Sequence, residues 1–451
     1  MEALNRRLAA LCIVLVVMAI SAASAGAAPA SAAGVEYRGV HLHSLWEDSS
    51  NADMDRELDL ARGTGANVVR TVVGWDSLET GGKGRYSEWY VEKLDRFVNG
   101  ANARGMKVIA TLSSTPCWAS SAPAFKKQNC EGEWWGRNVQ VYPPNNPADY
   151  GDAARWVTAR YGTKLAALEV WNEPNLEEDR FFVAPDEPRA YAGMLKAAYA
   201  ASKRANPQVD VLAGSLAYMN GGFLQKLYSL GVKGHYDGLA VHPYNDGAPS
   251  KGDWSGIEWI RKLQAAAGDN TPLWLTEFGW STCREGSGWC KSPAEQARNT
   301  KAGFATLGSE ANVKGAIVYN LRDVGTDSGD MEANFGLVTR GFKPKPAYYA
   351  MRAALRGTHA SPVARKPRAR VRLRVRRRAT RVVAFVKAPR GMRVSIATIR
   401  CDRTRSRRLI LRTGRSGRAR RTVGRASRLR GCQVTAKLRG AARVVASRRV
   451  S

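Results

Sequence analysis

Acidic residues all but disappear from the end of this chain. Between Ser361 and Ser451 there is one, Asp402, against 31 lysines and arginines. Residues 1–360 hold 39 basic and 38 acidic side chains, so the net charge of +31 sits almost entirely in the last stretch. That excludes a uniformly basic body and implies two parts with different physics. Long apolar runs are also scarce. Leu8–Ile20 has thirteen residues, short of the roughly 20 that span a bilayer. It follows Arg6 and Arg7 and precedes an Ala/Ser-rich stretch, so residues 1–33 read as a secretory signal, with cleavage options near Ala25, Ala30 or Ala33. An uncleaved anchor is the alternative. No later segment reads as transmembrane. A secreted, extracellular protein is expected, associated with the cell envelope if the basic tail holds it there.

Metal-site spacing is missing as well. Of seven cysteines, Cys12 goes with the signal. The others fall as neighbours, Cys117/Cys130, Cys283/Cys290 and Cys401/Cys432, with no histidine close in sequence to any of them. These are not zinc spacings. Several connectivities are formally open, but local pairing closes three short loops, as suits an oxidising compartment. No metal or organic cofactor is expected.

From Gly34 onward, short apolar runs alternate with longer amphipathic ones. Strands are expected at Val35–His43, Asn67–Val73, Met106–Leu112, Leu165–Trp171, Val209–Gly214, Tyr236–His242, Pro272–Thr276 and Lys314–Asn320. Helices are expected between them, among others at Asp53–Gly63, Glu88–Arg104, Pro188–Asn206 and Ser292–Gly308. Ser292-Pro293-Ala294-Glu295 combines an N-cap, a first-turn proline and a capping box. Eight strands alternating with helices over residues 34–358 describe an α/β chain folded as a (β/α)8 TIM barrel. The alternative, a doubly wound sheet, lacks a glycine-rich phosphate turn after its first strand.

In such a barrel the loops after the strands carry the chemistry. Two glutamates stand there: Glu173 in Leu168–Asn175 and Glu277 in Leu273–Trp280. A pair of carboxylates at one barrel mouth is the minimum equipment for cleaving a glycosidic bond. Alternation puts residues 165, 167, 169, 171 and 173 on one strand face, and 273, 275 and 277 on another. If Leu273 and Leu275 fill the barrel, Glu277 points into its mouth. Asn172 offers an amide to a sugar hydroxyl, and Pro174 stiffens the turn. Either glutamate alone would be an ordinary solvated or capping residue.

Trp171-Asn172-Glu173-Pro174-Asn175 and Thr276-Glu277-Phe278-Gly279 resemble the fourth- and seventh-strand signatures of clan A glycoside hydrolases. The run Asn334–Ala350 resembles the end of that barrel. The similarity is closest to family 39 and its neighbour family 5, including bacterial exopolysaccharide endoglycosidases. It implies retaining hydrolysis of a β-linked poly- or oligosaccharide by double displacement, with Glu173 as acid/base and Glu277 as nucleophile. The carboxyls should then lie about 5 Å apart. Arg70 resembles the second-strand arginine that supports the nucleophile, although an ion pair with Glu169 is an equal reading. His242 and Tyr244 resemble the sixth-strand pair, the tyrosine donating to the nucleophile; plain packing is the alternative. Tyr319 stands where clan members often present a tryptophan, so the sugar's identity does not carry over. His41 and His43 share a face at the first strand end, and line the sugar site or pack in the core. Trp46, Trp75, Trp118 and Trp280 follow strand ends and suit either sugar stacking or packing. The competing function is a carbohydrate-binding barrel without turnover, attached to the envelope by its tail.

Residues 359–370 read as a linker. Residues 371–451 read as a small, basic β-rich accessory domain, with alternation as in Val371-Arg372-Leu373-Arg374-Val375, and disorder as the rival. The tail suits an acidic polysaccharide or anionic envelope, or is simply a solvated surface. No nucleic acid is expected, because no binding motif is recognised.

Overall fold

The computed structural model describes residues 34–358, apart from 47, 48, 131, 133, 177–180, 246, 248, 250–253, 255, 285–288, 308 and 309, and then the backbone of seven strands between 372 and 449. The expected signal, the 359–370 linker and the Cys401/Cys432 pair lie outside the described residues. The chain divides into two units, one ending at His359 and one starting at Ala360. No helix among the described residues is long and apolar enough to cross a membrane.

The first unit is a closed barrel of eight parallel strands in sequence order. These are β1 (Tyr37–His41), β2 (Val68–Gly74), β3 (Lys107–Ser113), β4 (Leu165–Val170), β5 (Asp210–Ala217), β6 (Gly238–His242), β7 (Leu273–Phe278) and β8 (Val313–Val318). β1 closes the barrel by pairing with β8. All eight expected strands are present, with ends shifted by at most three residues. The helices between them begin and end where local chemistry dictates. Ser292 and Glu295 form the expected capping box: Ser292 Oγ accepts from the Glu295 amide, and the Glu295 carboxylate accepts from the Ser292 amide. Helix Asn51–Thr64 is capped by Ser50 and stopped by Gly65 at φ 95°, a left-handed position that glycine adopts at little cost.

Strand alternation explains how the barrel holds a site at one end. Its lower interior is an apolar layer that includes Val68, Ile109, Ala167, Leu212, Ala240, Trp274 and Ile317. Moving two residues along six of these strands keeps the same face, yet the side chain becomes polar: Arg70, Thr111, Glu169, His242, Thr276 and Tyr319. A dry layer beneath a polar one is a floor for chemistry.

One expectation about this layering is corrected. Leu273 and Leu275 do not fill the barrel; they belong to the large core around it. Trp274 fills it instead, stacked on Tyr37 at 5.2 Å. Neighbouring strands make room with glycine, since a Cβ at Gly238 or Gly315 would sit 2.5 or 2.3 Å from the indole. A register irregularity between Leu275 and Phe278 then carries Glu277 to the inner side beside Thr276. An irregularity of this kind re-aims a side chain against simple parity.

The second unit contains two antiparallel sheets. One orders its strands β13 (Arg418–Arg425), β10 (Arg381–Lys387), β9 (Arg372–Arg378). The other orders them β12 (Arg408–Arg412), β11 (Arg393–Ile399), β14 (Gln433–Leu438), β15 (Ala446–Arg449). The expected β-rich character is therefore present in the described strands.

Candidate active site

Arg70 is the hub. Its side chain is fully buried on β2, and four elements supply its acceptors. Nε donates to Glu169 on β4 at 2.6 Å. Nη1 donates to Glu277 after the β7 irregularity and to His41 Nδ1 on β1 at 3.0 Å. Nη2 donates to Asn172 Oδ1 at 2.8 Å. The expected ion pair with Glu169 and a contact to Glu277, the expected nucleophile, are present together. Burial alone would lower the pKa of the guanidinium, but Glu169 and Glu277 together raise it, so it stays charged. Glu169 is likewise held below the usual carboxylate range: Arg70, His242 and hydroxyl donors outweigh burial. Its further partners are Thr111 and Ser215 at 2.8 Å, the latter turned inward by a register irregularity in β5.

Glu173 reaches the site by backbone distortion rather than by strand parity. β4 ends at Val170, and Trp171 and Glu173 both take positive φ, 66° and 47°. Non-glycine residues adopt that region at a cost. The turn throws the Trp171 ring against Tyr150 and Phe182 and returns Glu173 to the mouth. Asn175 clamps the turn to β5, donating to and accepting from the Ala217 backbone at 3.2 and 2.9 Å. Asn175 lies within the fourth-strand motif, but its positioning part depends on a contact across strands that spacing does not show.

The two carboxylates meet over His242. One oxygen of each and an imidazole nitrogen lie within 4.8 Å of one another. His242 Nδ1 is 2.7 Å from Glu173 Oε1 and 3.7 Å from Glu277 Oε2, and its Nε2 meets Thr276 Oγ1 at 3.1 Å. Tyr244 donates to Glu277 Oε2 at 2.7 Å. Glu277 thus receives a guanidinium on one oxygen and a phenol on the other, whereas Glu173 faces an imidazole. Burial pulls the His242 pKa down, but Glu277 and Glu173 overcome it and hold the pKa above the usual histidine value. His41 goes the other way: burial, then His43, Arg70 and His242, push it well below the usual value. Because Arg70 donates to its Nδ1, the neutral ring carries its proton on Nε2.

The sign for His242 follows from linkage. Its folded-state pKa is raised, so the stabilisation is complete below the unfolded value, about 6.5. It is lost as pH climbs through the raised folded value. The melting-temperature gap between wild type and His242→Asn should therefore be larger at pH 6 than at pH 9. A gap that stayed level or widened with pH would remove this ion pair from the account.

The site opens into a cavity of about 1190 Å³. Asn172, Glu173, Tyr244, Glu277, His41, His43 and Tyr319 all line it. Tyr319 forms its base, against the rings of His41, His43, Tyr244 and Phe335. Trp46 forms part of the wall, 4.0 Å from His43. Three expected stacking residues are elsewhere. Trp75 is fully buried and donates to the Glu79 carboxylate at 2.7 Å. Trp118 packs edge-on against Trp75 and donates to the Glu79 carbonyl. Trp280 is buried and donates to the Gly247 carbonyl at 3.0 Å. Indole has one donor, and for Trp118 and Trp280 a backbone carbonyl behind the rim claims it, drawing the ring out of the cavity. Trp289 lines the cavity instead, with Gln140 and Asn138 from the long loop after β3. Disulfides Cys117–Cys130 and Cys283–Cys290 staple the two loops that supply these residues. The Cys117–Cys130 bridge sits in a small core with Ala122, Trp134 and Val139.

Residues 28–310 match the family model described as cellulase, glycosyl hydrolase family 5. The chain belongs to that family. A curated β-glucosidase from Agrobacterium sp. (strain ATCC 21400) is 25% identical over 259 residues, covering 48% of this chain and 53% of that protein. The chain thus spans about half the length of that relative. Among solved structures, a family 39 glycoside hydrolase from Bacteroides cellulosilyticus WH2 is similar with a TM-score of 0.57 at 17% identity, over 86% of this chain and 81% of that one. A family 39 enzyme from Xanthomonas axonopodis pv. citri gives 0.52 at 18% identity, over 86% and 91%. A GH5_18 protein from Streptomyces cattleya, in complex with Manb1-4GlcNAc, gives 0.53 at 19%, over 74% and 83%. At these identities the structures establish the shared barrel fold. For this family 5 barrel the resemblance to clan A, near families 39 and 5, stands.

Proposed function

We propose that this family 5 barrel is a secreted, retaining glycoside hydrolase acting on a β-linked poly- or oligosaccharide. The observation that carries this is the approach of Glu173 and Glu277 to within 4.8 Å, oxygen to oxygen. That is the range of a retaining pair; an inverting pair needs about 6.5 Å or more to admit a water. Glu277 is the nucleophile, since Arg70 and Tyr244 each donate to one of its oxygens and fix the carboxylate in place. It attacks the anomeric carbon as Glu173 passes a proton to the departing glycosidic oxygen. Glu173 then takes a proton from water, whose oxygen displaces Glu277 and restores the original configuration. Asn172 has its carbonyl occupied by Arg70, which leaves its NH2 for a sugar hydroxyl.

A cavity of about 1190 Å³ exceeds the usual range for one small ligand, which favours a chain of sugars over a monosaccharide. Two stapled loops suit an oxidising location, in line with export, and the basic tail would retain the protein on acidic polymer or envelope. The test is stereochemical. Proton NMR of the first-formed product should show the anomer of the substrate, with the other anomer arising later by mutarotation. Immediate appearance of the opposite anomer would exclude double displacement. Binding of glycans without any product would instead favour the non-catalytic barrel.

A further inference from the structure

We propose that one face of the three-stranded sheet β9–β10–β13 is a binding surface for a carboxylate-bearing acidic polysaccharide. The register makes the case. Across the sheet, Arg372 pairs with Lys387 and Lys387 with Arg418; Arg374 with Phe385 and Phe385 with Arg420; Arg376 with Val383; Arg378 with Arg381 and Arg381 with Arg425. Paired positions share a face, and alternate rows share the same one. That face collects nine cations. The intervening rows, Leu373–Val386–Ala419, Val375–Ala384–Arg421 and Arg377–Val382–Gly424, are mainly apolar and hold two. Basicity in these strands is therefore sorted to one side, which a merely arginine-rich composition does not require.

Magnitudes decide what such a face can do. Same-face residues recur about every 6.8 Å along a strand, and the two outer strands stand about 10 Å apart. Neighbouring cations therefore lie within or near a Debye length of about 8 Å, and no acidic residue occurs in any of the three strands. The face repels itself until an anionic chain lies along it. Eight of the nine cations are arginine, whose planar fork matches a carboxylate. Phe385 and Val383, on the central strand between the two arginine columns, suit the apolar face of a sugar ring. The choice of a polysaccharide over another polyanion rests on the hydrolase reading above: a polymer held by this sheet is presented to the barrel at a raised effective concentration.

The full chain should be titrated against polygalacturonate, with neutral dextran as control. R374E/R376E/R420E should weaken binding to polygalacturonate at least about tenfold and flatten its salt dependence. R403E/R405E/R407E, between β11 and β12, changes net charge equally and should cost less than about twofold. Equal loss in both triples would reduce the effect to overall charge and overturn the proposal. R374Q/R376Q/R420Q should fall between wild type and the reversed triple; wild-type affinity in this neutral variant would also overturn it. Tighter binding to duplex DNA or phosphatidylglycerol vesicles than to polygalacturonate would overturn the choice of occupant. E277Q should bind polygalacturonate normally, so failure of the hydrolase reading and failure of this one are separable.

Discussion

Glu277→Gln is expected to reduce kcat on the order of 100,000-fold on any substrate the wild type cleaves, about 7 kcal/mol of lost transition-state stabilisation. Glutamine keeps the shape; its carbonyl oxygen can accept from Arg70 while its NH2 donates to the Tyr244 hydroxyl oxygen, so the fold should survive. What is lost is the bond to the anomeric carbon, and no leaving group compensates for that. Glu173→Ala should behave differently. General acid catalysis contributes roughly 100- to 10,000-fold, and the loss should shrink on aryl glycosides whose leaving group departs unprotonated. Azide should then speed turnover by attacking the glycosyl-enzyme, giving a glycosyl azide with the anomeric configuration of the substrate. If Glu277→Gln keeps appreciable activity, or if the two variants depend on leaving group alike, the assigned roles are wrong.

Arg70→Met is the second large effect, and it should appear in stability as well as activity. The side chain has no solvent exposure and joins Glu169, Glu277, His41 and Asn172. Methionine fills much of the volume but leaves two carboxylates facing each other in a buried space. Removing one member of a buried charged cluster typically costs about 3–5 kcal/mol, and urea unfolding followed by circular dichroism would measure it. Arg70→Lys tests the geometry separately. It restores one charge but cannot donate along three directions from a planar fork, so stability should recover in part while kcat stays low. A methionine variant with wild-type stability would show that the cluster does not hold the barrel mouth together.

How much of this was legible in the chain depends on which force did the placing. The eight strands were, because each is a short apolar run whose burial is decided locally. The capping box at Ser292 was, because its partners are three residues apart. Both glutamates were nameable from the residues flanking them. The route by which they arrive was not. Alternation placed Glu277 in line with Leu273 and Leu275, whereas packing put Trp274 inside and an irregularity near Phe278 restored Glu277 to the mouth. Alternation also placed Trp171 with Glu173, whereas the chain leaves the strand at Val170 and takes positive φ at both residues. Trp118 and Trp280 show the same limit. A tryptophan after a strand end looks alike in sequence whether its indole meets a sugar or a backbone carbonyl.

The sequence by itself determined the fold class, the pair of glutamates proposed to react and the concentration of positive charge in the last ninety-one residues. These follow from periodicity, motif and composition, all of which are local along the chain. The tertiary structure alone decided that Arg70 joins four elements, that the carboxylates lie within 4.8 Å, and that nine of the eleven cations of β9, β10 and β13 fall on one face. The physical reason is common to all three. Each depends on strand register and on small departures from it, and register is set by the packing of residues far apart in the chain.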